Sequence, residues 1–388
     1  MPGSLVVTGG TVLTPRGWAE TDVLVEGGRI ARVGRGARRP GTAVVDAKGA
    51  RVLPGLIDLQ VNGAFGRSFS SAPPDEIARV AQGLARLGVT SFCATLVSAP
   101  PAQLAAALGA IRDASKANTG AEILGAHLEG PYLSPERAGA HKRANIRVPN
   151  MVEFTKLATA GDGVARMMTI APEARGAPSI IAAGVKRGMV MALGHSGAGR
   201  EQVEAAVRAG ATLVTHLYNA MAPFHHRDEN IVSAALVDDR LACACIYDRH
   251  HISRTAMRIA LRCKPAGRLL LVSDATAALE APEGAFEADG VRYVVKAGQV
   301  TVRGTATLGG SAVSLLQGVR HLSEDLDMPL EWAWRYASSA PARALGLGET
   351  KGEIAPGYDG DIVVMDDAWR VRAAAVRGSI AYGSDHQG

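Results

Sequence analysis

Through the middle of this 388-residue chain, short apolar runs alternate with amphipathic stretches at intervals of a few tens of residues. Eight such runs, at 56–61, 91–97, 123–129, 166–172, 190–195, 212–217, 242–248 and 269–274, have the length and composition of buried parallel strands. The stretch 75–87 shows what lies between them: Ile77, Val80, Ala81, Leu84 and Leu87 share one helical face, and Gly88 supplies a left-handed cap. Eight strands with eight crossovers predict an α/β fold, a (β/α)8 TIM-like barrel over 54–347.

The two ends follow a different pattern. Leu5-Val6-Val7, Val23-Leu24-Val25, Ile30-Ala31-Arg32-Val33 and Ala43-Val44-Val45 are separated by Gly9-Gly10 and Gly27-Gly28, as in short β strands with tight turns. Ile362-Val363-Val364-Met365 and Arg370-Val371-Arg372-Ala373 resume that style. One small β-sandwich domain built from 1–53 and 348–388 is expected. Inside the barrel, Val291-Arg292-Tyr293-Val294-Val295 and Gln299-Val300-Thr301-Val302 adjoin turn signals at Asp289-Gly290 and Ala297-Gly298. They predict a β-hairpin insertion near 285–308, placed to act as a flap over the mouth.

Polar residues gather where the predicted strands end, the rim on which barrel enzymes build their sites. Gln60 and Asn62 close the first run, Glu129 the third, His195 the fifth, His216 the sixth and Asp274 the eighth, and His251 follows the seventh by three residues. Each has a bland reading alone: a satisfied loop histidine, a helix-dipole partner for Glu129, a turn cap for Asp274. Taken together, one carboxylate and two imidazoles on a shared rim match the preferences of a catalytic zinc site with an open position, and one divalent ion is expected. Asp274 would then stand beside the activated water, able to accept its proton and return it to a leaving amine. Gln60 and Asn62 are read either as weak ligands of a second metal or as barrel-mouth hydrogen-bonding groups.

Composition narrows the class. Hydrophobic residues at 47% and charged residues at 20% support a packed globular chain, with disorder expected only in the tail 383–388. A net charge of +5 is small for this length, and no basic run exceeds Arg38-Arg39, so no nucleic-acid partner is expected. Cys93, Cys243, Cys245 and Cys263 lack framework or metal spacing and are read as buried reduced thiols. With no apolar run of spanning length and no leader-like start, no membrane partner and a cytoplasmic location are expected.

Five segments carry a family resemblance: Pro54-Gly55-Leu56-Ile57-Asp58, His127-Leu128-Glu129-Gly130-Pro131, Gly194-His195-Ser196, Thr215-His216-Leu217-Tyr218-Asn219-Ala220-Met221 and Ser273-Asp274-Ala275-Thr276. The chain resembles, over nearly its whole length, the N-acetylglucosamine-6-phosphate deacetylases of the amidohydrolase superfamily. The resemblance implies Glu129, His195 and His216 as metal ligands and Asp274 as general base and acid. It further implies that His141 contacts the acetamido carbonyl and that His251 helps bind substrate. Asn219, Ala220 and Arg227 would bind the phosphate of a phosphorylated N-acetyl amino sugar, with Arg227 supplied by the neighbouring subunit of a homodimer. Many superfamily relatives carry a His-x-His pair where this chain has Gln60-Val61-Asn62, which favours a mononuclear site. Zinc is the expected ion; iron, manganese and cobalt suit the same ligands.

Two local departures concern the substrate rather than the reaction. Arg249 in Asp248-Arg249-His250-His251 would add a phosphate contact or face solvent, and the loop Ala222-Pro223-Phe224-His225-His226 precedes Arg227. Either would retune the sugar, for example toward N-acetylgalactosamine 6-phosphate. A cyclic-amide hydrolase of the dihydroorotase or hydantoinase kind is disfavoured because no bridging lysine stands where Glu129 stands. A catalytically dead barrel kept as a scaffold is disfavoured because the ligands and the base are all present.

Overall fold

The computed structural model describes residues 3–36, 42–117 and 120–383; the Arg38-Arg39 pair and residues 384–388 of the expected tail lie outside the described residues. The chain opens with β1 (Leu5–Thr14), β2 (Gly17–Glu26), β3 (Arg29–Val33), β4 (Ala43–Asp46) and β5 (Arg51–Pro54). Then β6 (Leu56–Val61) begins the barrel, and the short pair β7 (Gly63–Ala64) and β8 (Arg67–Ser68) leads into α1 (Pro74–Arg86). The expected face of α1 is buried through Ile77, Val80, Ala81 and Leu84, and Gly88 takes φ +80° to end the turn.

The barrel continues through β9 (Val89–Val97), β10 (Glu122–Glu129), β11 (Ala165–Ile170), β12 (Val190–Leu193), β13 (Leu213–Val214), β14 (Ala242–Cys245) and β15 (Leu269–Leu271), with helices between. These seven and β6 form one parallel sheet in sequential order. Its seam is closed by other means than a ladder between β6 and β15. The Ser273 N–H donates to the buried Asp58 carboxylate at 3.1 Å, and the Asn62 N–H donates to the Ala275 carbonyl at 2.7 Å. The fold is therefore the expected TIM-like barrel.

After it come β16 (Gly284–Ala288), β17 (Val291–Lys296), β18 (Gln299–Val302) and β19 (Leu308–Ser311), a four-stranded antiparallel sheet and so a larger excursion than the predicted hairpin. Two of its strands, Gly284–Ala288 and Leu308–Ser311, are rich in Gly, Ala and Ser and give little strand signal on their own. The chain ends with β20 (Ile362–Met365), β21 (Val371–Val376) and β22 (Ser379–Gly383), which join the first strands in a second eight-stranded sheet through antiparallel pairing of β20 with β5. Leu5, Val12, Val23, Val52, Ile362 and Val364 share its core, so both termini complete one body.

Cys93, Cys243 and Cys245 are buried as expected, but Cys263 is exposed, being the last residue of a helix whose buried face is carried by Met257 and Ala260. Among the described residues no helix is long and apolar enough to cross a membrane. The barrel floor is fastened to the terminal sheet by Lys351, 4% exposed, whose ammonium meets Asp359 at 3.0 Å, Asp361 at 2.7 Å and Glu122. Three carboxylates surround this one buried cation, with the half-exposed Arg377 and Arg29 reaching Glu122 and Asp359 from farther off, at 3.6–3.7 Å. Lys351→Ala is expected to lower stability by about 3–5 kcal/mol, the usual effect of stranding a buried charge. An unchanged midpoint in denaturant unfolding would show that the cluster hydrates readily instead.

Candidate active site

Glu129 is the last residue of β10, whereas His195 and His216 lie two residues beyond β12 and β13, and Asp274 lies three beyond β15. The strands are shorter than their apolar runs suggest because these three residues leave the extended conformation. His195 and Asp274 each have φ +50° and His216 has φ +29°. Left-handed backbone is unfavourable for such residues, and its clustering on one rim is typical of side chains held for function.

The three side chains converge. His195 Nε2 is 3.2 Å from Glu129 Oε1, His216 Nε2 is 3.0 Å from the same oxygen, and the two imidazole nitrogens are 3.1 Å apart. The Arg137 carbonyl accepts a hydrogen bond from His195 Nδ1–H at 2.9 Å, which leaves a lone pair on Nε2 facing the others. Burial drives His195 down to about 4, so it is neutral near pH 7. At Glu129 burial opposes ionisation, yet the ring of imidazoles from His141, His195 and His216 around its oxygens holds the carboxyl well below its usual range. At His216 burial is overcome by the Glu129 hydrogen bond and charge, so its affinity for a proton is raised. A carboxylate oxygen and imidazole lone pairs so close together require positive charge between them. A divalent cation fits this donor set, and the protein residues that would hold it are Glu129, His195 and His216.

His141 also reaches the cluster, with Nε2 3.4 Å from Glu129 Oε2, and Glu129, His141 and His195 form a group able to hold a metal ion. Its other nitrogen, however, accepts the Ser98 N–H at 3.2 Å, which places the proton on Nε2 and makes that atom a donor. The geometry thus favours hydrogen-bond donation by His141 over ligation. Ser98 is a residue that sequence reasoning missed; nothing in its local pattern marks it.

Gln60 Nε2 donates to Glu129 Oε1 at 2.8 Å, and Asn62 Nδ2 donates to Asp274 Oδ1 at 2.7 Å, so both amides orient the carboxylates beside them. Burial lifts Asp274 to about 6, with the Glu129 charge adding to the rise against the His216 and His251 charges and the Asn62 hydrogen bond. Such a value suits a group that both accepts and returns a proton near neutrality. His251 donates from Nδ1 to Asp248 at 2.7 Å, leaving Nε2 free, and Asp248 also accepts the N–H groups of His250 and His251. Asp248 is a second missed residue, although its spacing to His251 signals a local carboxylate–imidazole pair.

A cavity of about 300 Å³ joins these groups, and Asn219, Ala220 and His251 line it with the cluster and Asp274. The excursion covers one side through Asp289 and Tyr293, consistent with the expected flap. Two arginines of interest lie elsewhere. Arg227 is exposed, with Nη1 3.2 Å from His226 Nε2, and does not line its own chain's cavity. Arg249 is exposed, the solvent-facing one of its two sequence alternatives, and it is fastened there to Asp325 and Glu324 at 2.6 and 3.1 Å.

A parallel barrel with a carboxylate–histidine cluster, an aspartate whose proton affinity is raised by burial and a deep cavity on the C-terminal rim defines a metal-site hydrolase class, and the amidohydrolase family model matches residues 51–382. The chain belongs to that family and, within it, to the N-acetylglucosamine-6-phosphate deacetylases. It is 39% identical to the mouse N-acetylglucosamine-6-phosphate deacetylase over 99% of this chain and 95% of the relative. It superposes on the Mycobacterium smegmatis N-acetyl-D-glucosamine-6-phosphate deacetylase with a TM-score of 0.90 and 35% identity, covering 98% of this chain and 100% of that one. A mutant of that mycobacterial protein has been solved in complex with N-acetyl-D-glucosamine-6-phosphate, again with a TM-score of 0.90.

Proposed function

We propose that this chain hydrolyses the acetamide of N-acetyl-D-glucosamine 6-phosphate, giving acetate and D-glucosamine 6-phosphate, with one divalent ion, zinc by preference, held by Glu129, His195 and His216. The observation that carries the reading is the convergence of those three side chains within 3.0–3.2 Å beside the elevated carboxyl of Asp274. When bound, such an ion supplies Lewis acidity, which makes water a nucleophile near neutral pH and polarises a carbonyl.

The protein groups do the rest. Asp274, ionised and steadied by Asn62, takes a proton from the attacking water as its oxygen bonds to the acetyl carbon. The Nε2–H of His141 donates to the carbonyl oxygen as negative charge grows there. Asp274 then passes its proton to the sugar nitrogen, the C–N bond breaks, and acetate and amine result. His251, oriented by Asp248, holds the sugar, while Asn219 and Ala220 present polar groups toward its phosphate end. We assign Arg227 to the phosphate bound by a partner subunit, because it is exposed and does not line its own chain's cavity; a homodimer follows from this assignment. The domain limits 1–53, 54–347 and 348–388, with the excursion near 285–308, and a cytoplasmic location belong to the same proposal.

Metal analysis of purified protein, joined to acetate release from N-acetyl-D-glucosamine 6-phosphate and from the unphosphorylated sugar, tests it. About one ion per subunit and a strong preference for the phosphate ester are expected. Equal turnover of both sugars, or turnover without an ion, contradicts the reading.

A further inference from the structure

Arg227 leaves the cavity without an arginine from its own chain, yet a phosphate ester needs charge compensation where it is bound. Among the described residues, the cavity has one Lys or Arg side chain in its lining, that of Lys142. Lys142 follows His141 in the loop after β10, so the proposed carbonyl donor and the cavity's one cation come from adjacent positions.

The surroundings of Lys142 hold it there. Its ammonium lies against the backbone of Gly290 at the tip of the β16–β17 turn, where it fills the space a Cβ would need; Gly290 has φ +69°, so a side chain is disfavoured twice over. The neighbouring Asp289 lies within electrostatic reach of the ammonium. Both of its carboxylate oxygens are engaged by the Ser68 hydroxyl, at 3.0 and 2.8 Å, so the carboxylate is fixed. An ammonium carries three donors, and an arrangement that anchors it on one side leaves others free to face the cavity.

We propose that Lys142 is a specificity-determining residue, a phosphate-binding cation supplied by the chain's own barrel loop at the flap edge. The inference rests on the phosphorylated-sugar reading above. Lys142 steadies the dianion from within the subunit, while Asp289 and Ser68 act through it by setting where the ammonium stands.

Steady-state kinetics of Lys142→Met and Lys142→Arg, each on N-acetyl-D-glucosamine 6-phosphate and on N-acetyl-D-glucosamine, decide the matter. In Lys142→Met, KM for the phosphorylated sugar should rise about ten- to hundredfold with kcat nearly unchanged, and kcat/KM for the unphosphorylated sugar should stay at the wild-type value. Lys142→Arg should recover most of the loss. Equal losses on both sugars would overturn the assignment by showing that Lys142 only shapes the flap, and unchanged kinetics would overturn it outright. A wild-type enzyme indifferent to the phosphate would defeat the broader substrate reading and Lys142 with it, whereas discrimination that survives Lys142→Met defeats Lys142 alone.

Discussion

Asp274→Asn is expected to retain its bound ion while turnover falls by about two to four orders of magnitude, the usual range for removing a positioned acid–base group. The substitution is nearly isosteric. An amide oxygen at the same place still accepts from Asn62, so the loop after β15 keeps its left-handed turn and the cavity keeps its shape. What disappears is a group that can take a proton from water and return it to nitrogen. The pH profile adds a second readout. Asp274 must begin as carboxylate, so wild-type activity should rise with pH as this group loses its proton. Without a cation it sits at about 6, raised by burial and by the Glu129 charge; a divalent ion beside it supplies opposite charge and moves the rise to lower pH. In the Asn variant this acid limb should vanish along with most of the rate. A variant that keeps wild-type turnover removes Asp274 from the chemistry.

The barrel was legible because its signal is collective: eight apolar runs, buried on both sides, recur at crossover spacing, and every one became a strand. The ends of those strands were less legible. The runs reach His195, His216 and Asp274, but hydrogen-bonded pairing stops earlier because those residues adopt positive φ, and hydropathy carries no record of a backbone turn. The convergence of Glu129, His195 and His216 was visible for a related reason. Glu129, His195 and His216 each close an apolar run, and run ends in a parallel barrel all point to one rim. Residues that act by holding others were mostly hidden. Ser98 fixes the proton of His141 across 43 positions of sequence, and Asp58 helps to close the seam through Ser273 across 215. Such pairings exist only in three dimensions. Gln60 and Asn62 were found by position, but only coordinates showed that their amide N–H groups point at Glu129 and Asp274. Lys142 carries no signal in the sequence, since an exposed lysine beside Arg143 looks like ordinary surface until the flap is folded against it.

The second large effect belongs to the cluster itself. Glu129→Gln should abolish stoichiometric ion binding and, with it, nearly all activity, although volume and shape are conserved. The carboxylate is the only formal negative charge among the three donors, and His141, His195, His216 and Gln60 all face its oxygens within 2.8–3.4 Å. A neutral amide at this position weakens attraction for a dication and, if its NH₂ faces inward, places a donor where a ligand is needed. Stability gives a readout that does not depend on turnover. A ligand that binds only the folded state stabilises it by about 2.7 kcal/mol at a hundred times its Kd. Adding zinc to metal-stripped wild-type protein should therefore raise the unfolding midpoint, and the same addition should leave Glu129→Gln almost unmoved. Because burial already opposes the charge on Glu129, the stripped variant need not be less stable than the stripped wild type. A Glu129→Gln protein that still binds one ion per subunit and shows the full zinc-dependent shift would place the metal elsewhere on the rim and dissolve the mechanism built on this cluster.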